Sequence, residues 1–328
     1  MTDWIENRMK KKITVIGCGR WGSFIAWYLN HIGHEVTLYG RADSKHMSKF
    51  RDTRSNGLIT LPETIRLETD LSRAVDGDIL VISINSQGLR SLMEELKEYK
   101  LTRRCFVLCM KGIEIATGKR LTEVVSDFMD ESNGLAVWLG PGHVQEFYKG
   151  IPNCMVIDSL DPEVKEELIT SFSSDLIRFY YGEDLLGNEI GAAAKNVIGI
   201  AAGMLDGLSL STLKGALMSR GTREIGRLIK AMGGNELSAY GLCHLGDYEA
   251  TVFSQFSHNR KYGEAFVKGE KYTELAEGYY TVAALVRLGR QYQVDLPICN
   301  AVYDVLYQNK EAATALEQLF LRSLKKEF

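Results

Sequence analysis

Proline is scarce in this 328-residue chain, five residues against 31 glycines. That imbalance places the glycines at close backbone approaches inside folded elements and not in flexible linkers. Neither sign of charge is in excess: 39 Lys and Arg face 42 Asp and Glu, for a net charge of −3. The pI is about 6.1 and no basic block occurs, so a nucleic-acid binder held by phosphate neutralisation is not expected. The six cysteines, Cys18, Cys105, Cys109, Cys154, Cys243 and Cys299, include no CxxC pair. No histidine lies at zinc-finger spacing from any of them, so no metal site is expected. Long apolar runs are missing too. The longest, Val197–Leu205, falls far short of the roughly 20 residues a transmembrane helix takes. Residues 1–12 are charged and lack the apolar stretch of a secretory signal. The expectation is a cytoplasmic protein whose thiols are reduced and mostly serve as small core residues.

What the chain does contain is ordinary globular material, 45% apolar and 25% charged, in a length that exceeds one compact core. Two domains are expected. In the first half short β-rich runs alternate with helical patterns. The runs are Ile13–Ile16, Glu35–Tyr39, Asp78–Ile84, Cys105–Met110, Leu135–Leu139 and Cys154–Asp158, with helices such as Trp21–His31 and Leu89–Tyr99 between them. Apolar strands without strict alternation, separated by helices, predict a mostly parallel sheet covered on both faces. After about residue 182 no strand pattern is found. Helical periodicity covers Glu189–Leu205, Thr212–Met232, Leu275–Tyr292 and Ile298–Gln308, with a further short helix suggested at Ser238–Cys243. The boundary is placed near Tyr181–Gly187, giving domains over 1–183 and 184–328.

Gly17-Cys18-Gly19-Arg20-Trp21-Gly22 fits G-x-G-x-x-G, a weak pattern alone in a glycine-rich chain. Its position strengthens it, because it follows the strand ITVI and opens a helix that runs to Gly33. In such a loop Gly17 permits the tight turn, Gly19 admits a pyrophosphate to the backbone, and Gly22 lets helix pack on strand. The N–H groups that start the helix, at Arg20 and Trp21, then face the phosphates. The second strand ends Leu38-Tyr39-Gly40-Arg41, with Lys45 close behind and the first acid, Asp43, beyond Arg41. An arginine there accommodates a ribose 2′-phosphate, so NADP(H) is expected, with dual use of NAD(H) as the alternative.

In the second half, Asn188–Met204 is a helical pattern with almost no polar face, yet it carries Lys195 and Asn196. Gly191, Ala192, Gly199 and Ala202 surround Lys195 at helical spacing. Such small neighbours leave room for something other than a side chain, a substrate being one candidate. An ammonium on such a surface loses hydration, and its pKa drops toward the range useful for proton transfer. Further on, Asp247 precedes the donor-rich run Ser257-His258-Asn259-Arg260-Lys261, which suits a small phosphate ester. Lys111, in Met110-Lys111-Gly112-Ile113-Glu114, follows a strand's C-terminal end, the edge at which open parallel sheets bind ligands.

Together these segments resemble the NAD(P)-dependent glycerol-3-phosphate dehydrogenase family in its bacterial form. The matching pieces, in the family's order over residues 13 to 308, are VIGCGRWG, DILVISINSQ, MKGIE, GPGHVQE with GIPN, AAAKNVIGIAAGMLDGL, LMSRGTREIGRL, HLGD, SHNRKYGEAF, AEGYYTVAALVRL and LPICNAVYDVLY. The resemblance implies a Rossmann-type domain followed by an all-helical C-terminal domain, and reversible reduction of dihydroxyacetone phosphate to sn-glycerol 3-phosphate, the backbone precursor of phospholipids. It implies a homo-oligomer, commonly a dimer. The family's catalytic lysine falls on Lys195, a second lysine serving substrate and cofactor on Lys111, and the active-site acid on Asp247. Gly140 and Gly142 fall on substrate-loop positions and Val144 on a cofactor position. Ser257, His258, Asn259 and Arg260 fall on the segment that holds the substrate phosphate, with His258 also near the cofactor, and Leu275 and Glu277 on a late cofactor contact.

Three positions depart from the family pattern. Position 258 is usually Arg and is His here, which removes a bidentate, permanently charged phosphate partner that Arg260 is the candidate to replace. Position 142 usually carries a hydroxyl and is Gly. Position 244 is usually Gly and is His. In the expected mechanism Lys195 gives a proton to the developing alkoxide, Asp247 orients it and balances its charge, and Asn196 adds a polar group beside the substrate. The departures keep two rivals open: a dehydrogenase of another small hydroxy acid or sugar phosphate, and a non-catalytic nucleotide sensor.

Overall fold

Runs rich in Val, Ile and Leu make the strands of the first half, and amphipathic stretches between them make its helices. The computed structural model describes residues 9–323 and Lys326, in two compact units. One holds the residues up to Met110 together with Arg120–Leu185; the other holds Lys111–Lys119 together with Leu186 onward. The first unit runs β1 (Lys12–Ile16), α1 (Arg20–His31), β2 (Glu35–Tyr39), α2 (Lys45–Thr53), β3 (Arg66–Glu68), α3 (Leu71–Ala74), β4 (Ile79–Ile82) and α4 (Leu89–Lys97). It continues with β5 (Cys105–Leu108), α5 (Leu121–Ser126), β6 (Gly134–Leu139), α6 (Val144–Tyr148), β7 (Asn153–Asp158), α7 (Pro162–Phe172) and β8 (Ile177–Tyr181). The helical elements that follow are α8 (Leu185–Gly207), α9 (Lys214–Ala231), α10 (His258–Lys268), α11 (Glu277–Gln291), α12 (Pro297–Tyr307) and α13 (Ala312–Phe320).

The eight strands form one sheet in the order β3-β2-β1-β4-β5-β6-β7-β8. Every neighbouring pair is parallel except β6 and β7. The fold class is therefore a mostly parallel Rossmann-type sheet followed by an all-helical region. The order reverses between β1 and β4, the switch point at which such sheets bind ligands beyond the strand C-termini.

All six anticipated strands form, and two more join at the sheet's edges. β3 is only three residues, Arg-Leu-Glu, too short and too charged to register as a strand pattern. β8 alternates buried Ile177 and Phe179 with exposed Arg178 and Tyr180, a half-exposed edge and not a buried run. Two helices were likewise not anticipated, α10 and α13. The Ser238–Cys243 segment is a 3₁₀ turn at Glu236–Tyr240.

The excursion Lys111–Lys119 leaves the sheet unit because its apolar residue packs elsewhere. Ile113 is buried in the helical core with Val197, Ile198, Leu285 and Val302. The Arg287 side chain on α11 donates to the carbonyl of Ala116 at 2.7 Å. That core is built around α8, whose glycines admit the protein's own neighbouring segments. A Cβ on Gly203 would stand 1.9 Å from the Arg260 carbonyl oxygen, and one on Gly199 would stand 2.7 Å from Thr251 Cγ2. Of the small neighbours of Lys195, Gly199 thus makes room for the segment that carries Thr251.

Glu224 of α9 shows how the helices are tied. Its two carboxylate oxygens accept the N–H groups of Ile298 and Cys299 at 2.9 Å each, capping α12, whose N-cap residue Leu296 has no side-chain acceptor. Burial pushes this carboxyl up to about 7. Glu224→Ala leaves both N–H groups unpaired in a dry site and is expected to cost about 2–4 kcal/mol in urea denaturation. The folded state holds the proton more tightly than the unfolded one. The carboxyl's contribution therefore fades as pH rises through about 7, and the gap between variant and wild type narrows with it.

Candidate active site

The glycine turn forms as its sequence requires. Gly17 has φ +115°, and a Cβ there would lie 2.1 Å from the Ser83 carbonyl oxygen, so only glycine lets the turn pass the end of β4. A Cβ on Gly22 would lie 1.9 Å from the Gly17 carbonyl oxygen, which is the close helix–strand approach. Beside Gly19 a Cβ would meet nothing within 4 Å, and no side chain caps α1. An open approach to an uncapped helix start fits a pyrophosphate. Arg20 is exposed, and Trp21 packs on Phe24, ring centroids 5.2 Å apart. Arg41, at the end of β2, is exposed and faces Glu95 at 3.5 Å.

In the helical unit the sequence brings three distant segments onto one carboxylate. Asp247 is 1% exposed, on a 3₁₀ turn at Leu245–Asp247. Its Oδ2 accepts from Lys111 Nζ at 2.5 Å and pairs with Lys195 Nζ at 3.0 Å. Lys195 also donates to Thr251 Oγ1 at 2.8 Å, and that hydroxyl donates in turn to the Asp247 carbonyl at 2.8 Å. An ammonium has three donors, so one is left for a ligand oxygen. Burial lowers the Lys195 pKa to about 8; Asp247 opposes the fall and Lys111 adds to it. With both amines protonated the group carries a net positive charge in a water-poor setting, which favours an oxyanion.

Asn196 clasps this arrangement. Its Nδ2 donates to the Lys111 carbonyl at 2.9 Å and its Oδ1 accepts from Asn259 at 3.0 Å, while Asn259 Oδ1 accepts the Gly278 N–H at 2.9 Å. Lys111, Lys195, Asn196, Asp247 and Asn259 are thus brought together. The rest of the 257–260 segment behaves differently from a donor loop. Ser257 is the N-cap of α10 and accepts from the Arg260 N–H. His258 Nδ1 lies 2.5 Å from the Tyr272 hydroxyl. The Arg260 guanidinium binds Asp206 at 2.6 Å, Glu264 at 3.1 Å and the Ser254 carbonyl at 3.1 Å. Asp206 also pairs with Lys214 at 2.7 Å and Glu264 with Lys268 at 2.6 Å, so the guanidinium sits in a network of three cations and two carboxylates.

Gly140 and Gly142 have φ +122° and +140°. A Cβ on Gly142 would enter the Phe147 ring at 2.2 Å, the physical reason no hydroxyl side chain stands there. Val144 is buried at the start of α6. Leu275 is exposed, and Glu277 is in the first turn of α11. The residue that sequence reasoning missed is Thr251. It lies in a single π-helical turn, Glu249–Phe253, a geometry often found at functional positions, and its only sequence signal is an i, i+4 spacing from Asp247. A cavity of about 650 Å³ between α8, α9, α12 and α13 is mostly apolar and shares no residue with the lysine cluster. Among the described residues no group of three or more His, Cys, Asp and Glu could hold a metal ion, and no helix is long and apolar enough to cross a membrane.

A dinucleotide cradle on a parallel sheet and a desolvated amine paired with a carboxylate on a helical unit are the parts of a nicotinamide-dependent oxidoreductase. Family models for the N-terminus and C-terminus of NAD-dependent glycerol-3-phosphate dehydrogenase match residues 12–165 and 184–317. The chain belongs to the NAD-dependent glycerol-3-phosphate dehydrogenase family. It is 37% identical over 330 residues to the glycerol-3-phosphate dehydrogenase (NAD(P)+) of Fusobacterium nucleatum, covering 96% of this chain and 98% of that one. The corresponding protein of a Thermoanaerobacter species is 35% identical over 328 residues, with 96% and 98% covered. The crystal structure of glycerol-3-phosphate dehydrogenase from Coxiella burnetii superposes with a TM-score of 0.89 at 26% identity, covering 95% of this chain and 99% of that one.

Proposed function

We propose that Lys195 carries the proton in the reaction of this family, with Asp247 and Lys111 setting its charge and Thr251 its direction. The chain is an oxidoreductase that interconverts dihydroxyacetone phosphate and sn-glycerol 3-phosphate. Bound at the Gly17–Gly22 turn, the nicotinamide dinucleotide supplies or accepts the hydride. The protein's own residues do the rest. Gly17, Gly19 and Gly22 with the start of α1 hold the pyrophosphate. In reduction Lys195 donates its remaining N–H proton to the oxygen that becomes the alcohol, and in oxidation the free amine removes it. The observation that carries the reading is the buried Lys195 ammonium held 3.0 Å from Asp247, with its pKa near 8. A proton is then both available and releasable at neutral pH. Steady-state kinetics on dihydroxyacetone phosphate with NADPH and with NADH, followed by nicotinamide absorbance, test reaction, substrate and cofactor together.

Cofactor preference rests on the end of β2, where Arg41 stands in place of an acid. NADP(H) is the preferred dinucleotide in this reading, because a 2′-phosphate gains a guanidinium partner, which it would draw from Glu95. Arg41→Asp is expected to reverse the ratio of kcat/KM for NADPH over NADH, by about tenfold or more for loss of one charged contact. An unchanged ratio removes Arg41 from the ribose site. The reading also places the enzyme in the cytoplasm as a homo-oligomer, supplying the glycerol phosphate backbone of phospholipids.

A further inference from the structure

His244 is fully buried and sits three residues before Asp247. Its Nδ1 lies 2.7 Å from the carbonyl oxygen of Gly191, which can only accept, so Nδ1 carries the proton and donates. Nε2 must then accept, and the Tyr248 hydroxyl reaches it at 2.7 Å. The tautomer is fixed by its two partners, and burial lowers the imidazole pKa to about 4, so the ring is neutral throughout the working range. Burial likewise raises the Tyr248 phenol, which keeps it a donor. Gly191 lies one helical turn before Lys195 on α8, so the carbonyl that His244 grips is also the one that receives the backbone N–H of Lys195 within the helix. The fit is close: a Cβ on Gly191 would stand 3.0 Å from His244 Cβ.

We propose that His244 is a positioning residue for the proton-transfer group, a neutral strut that locks the turn bearing Asp247 against the turn of α8 bearing Lys195. The inference rests on the reading of Lys195 as the proton carrier. The groups facing Lys195 are Asp247 and Lys111, with the Thr251 hydroxyl; those facing His244 are Asp247, Lys195 and the Tyr248 hydroxyl. Of these, Asp247 is the charge that holds the Lys195 proton on. Whatever lets the Asp247 turn drift from α8 weakens that support, and the lysine loses its proton at lower pH. A cationic ring at position 244 would push the same way, which is why the neutral tautomer matters.

The test is to titrate Lys195 directly, by the pH dependence of its labelling with acetic anhydride, read on the Lys195 peptide by mass spectrometry. In His244→Gly the titration is expected to move below the wild-type value by about half to one pH unit, and added imidazole to move it back. The alkaline limb of kcat/KM for dihydroxyacetone phosphate shifts in step, about 3- to 10-fold in rate at a fixed alkaline pH, while NADPH affinity is unchanged. His244→Asn, whose amide can donate to the same carbonyl, titrates close to wild type. Should His244→Gly not fold, Tyr248→Phe keeps the packing, removes the ring's donor and gives a smaller shift in the same direction. A Lys195 titration that is unchanged or moves upward in both His244→Gly and Tyr248→Phe, with only thermal stability lost, overturns the strut. Retained turnover in Lys195→Ala would instead overturn the proton-carrier reading, and the labelling shift would still decide the role of His244.

Discussion

Lys195→Ala is expected to lower kcat for dihydroxyacetone phosphate by about 10²–10⁴-fold, the usual worth of a positioned general acid. Affinity for the reduced dinucleotide should hold, because the glycine turn proposed to cradle it joins β1 to α1. The pH profile gives the sharper check. With a pKa of about 8, the protonated amine that reduction needs is depleted above that pH, so wild-type kcat/KM for reduction falls about tenfold per unit on the alkaline side. For oxidation the free amine is required and the rate rises through the same pH. Both limbs disappear in the alanine variant. Turnover close to wild type in a folded Lys195→Ala preparation removes this residue from the chemistry.

Asp247→Asn carries the second large effect, and on two properties at once. The carboxylate is 1% exposed and stands between two lysines, 2.5 Å from one and 3.0 Å from the other. Removing its charge leaves two cations facing a neutral amide. An opposite charge at this range supports an ionised group by about 1–3 pH units, so the Lys195 titration falls from about 8 by that order. The alkaline limb of reduction then begins near or below neutral pH. Folding suffers as well, by about 3–5 kcal/mol for a buried charge deprived of its partner. The sign of its pH dependence follows from Lys195. Its folded-state pKa drops further below the unfolded value, so the unfolded chain binds more protons and the loss shrinks as pH rises. Urea denaturation at several pH values measures it. A loss of activity with an unmoved alkaline limb would show that Asp247 does not govern Lys195.

Much of the fold was legible because its signals are local. The strand ITVI, the turn Gly17–Gly22 and the helix to His31 are set by residues that touch one another along the chain, and they form as the spacing predicts. The helical second half was legible for the same reason. The edges of the sheet were not: β3 and β8 become strands because a neighbouring strand offers its hydrogen-bonding groups, a condition absent from their own residues. Arg260 shows the same limit at the candidate site. Its run of donors reads as a ligand loop, yet α10 starts at His258 and directs the guanidinium to Asp206, 54 residues away in sequence.

By itself the sequence determined which chemistry was available: a helix start stripped of side chains for a phosphate, and a lysine on an apolar helix whose hydration would be lost. It also determined the order of the two units, since strand and helix periodicities are written residue by residue. Tertiary structure decided how that chemistry is set. Lys111 follows a strand yet joins the helical unit, and it meets Asp247 across 136 residues because Ile113 finds its core there. The same packing puts Thr251 and the His244 ring beside α8 and fixes how far the Lys195 pKa falls. Electrostatic energies depend on distances of a few ångströms and on excluded water, and both are properties of the folded chain that no local pattern encodes.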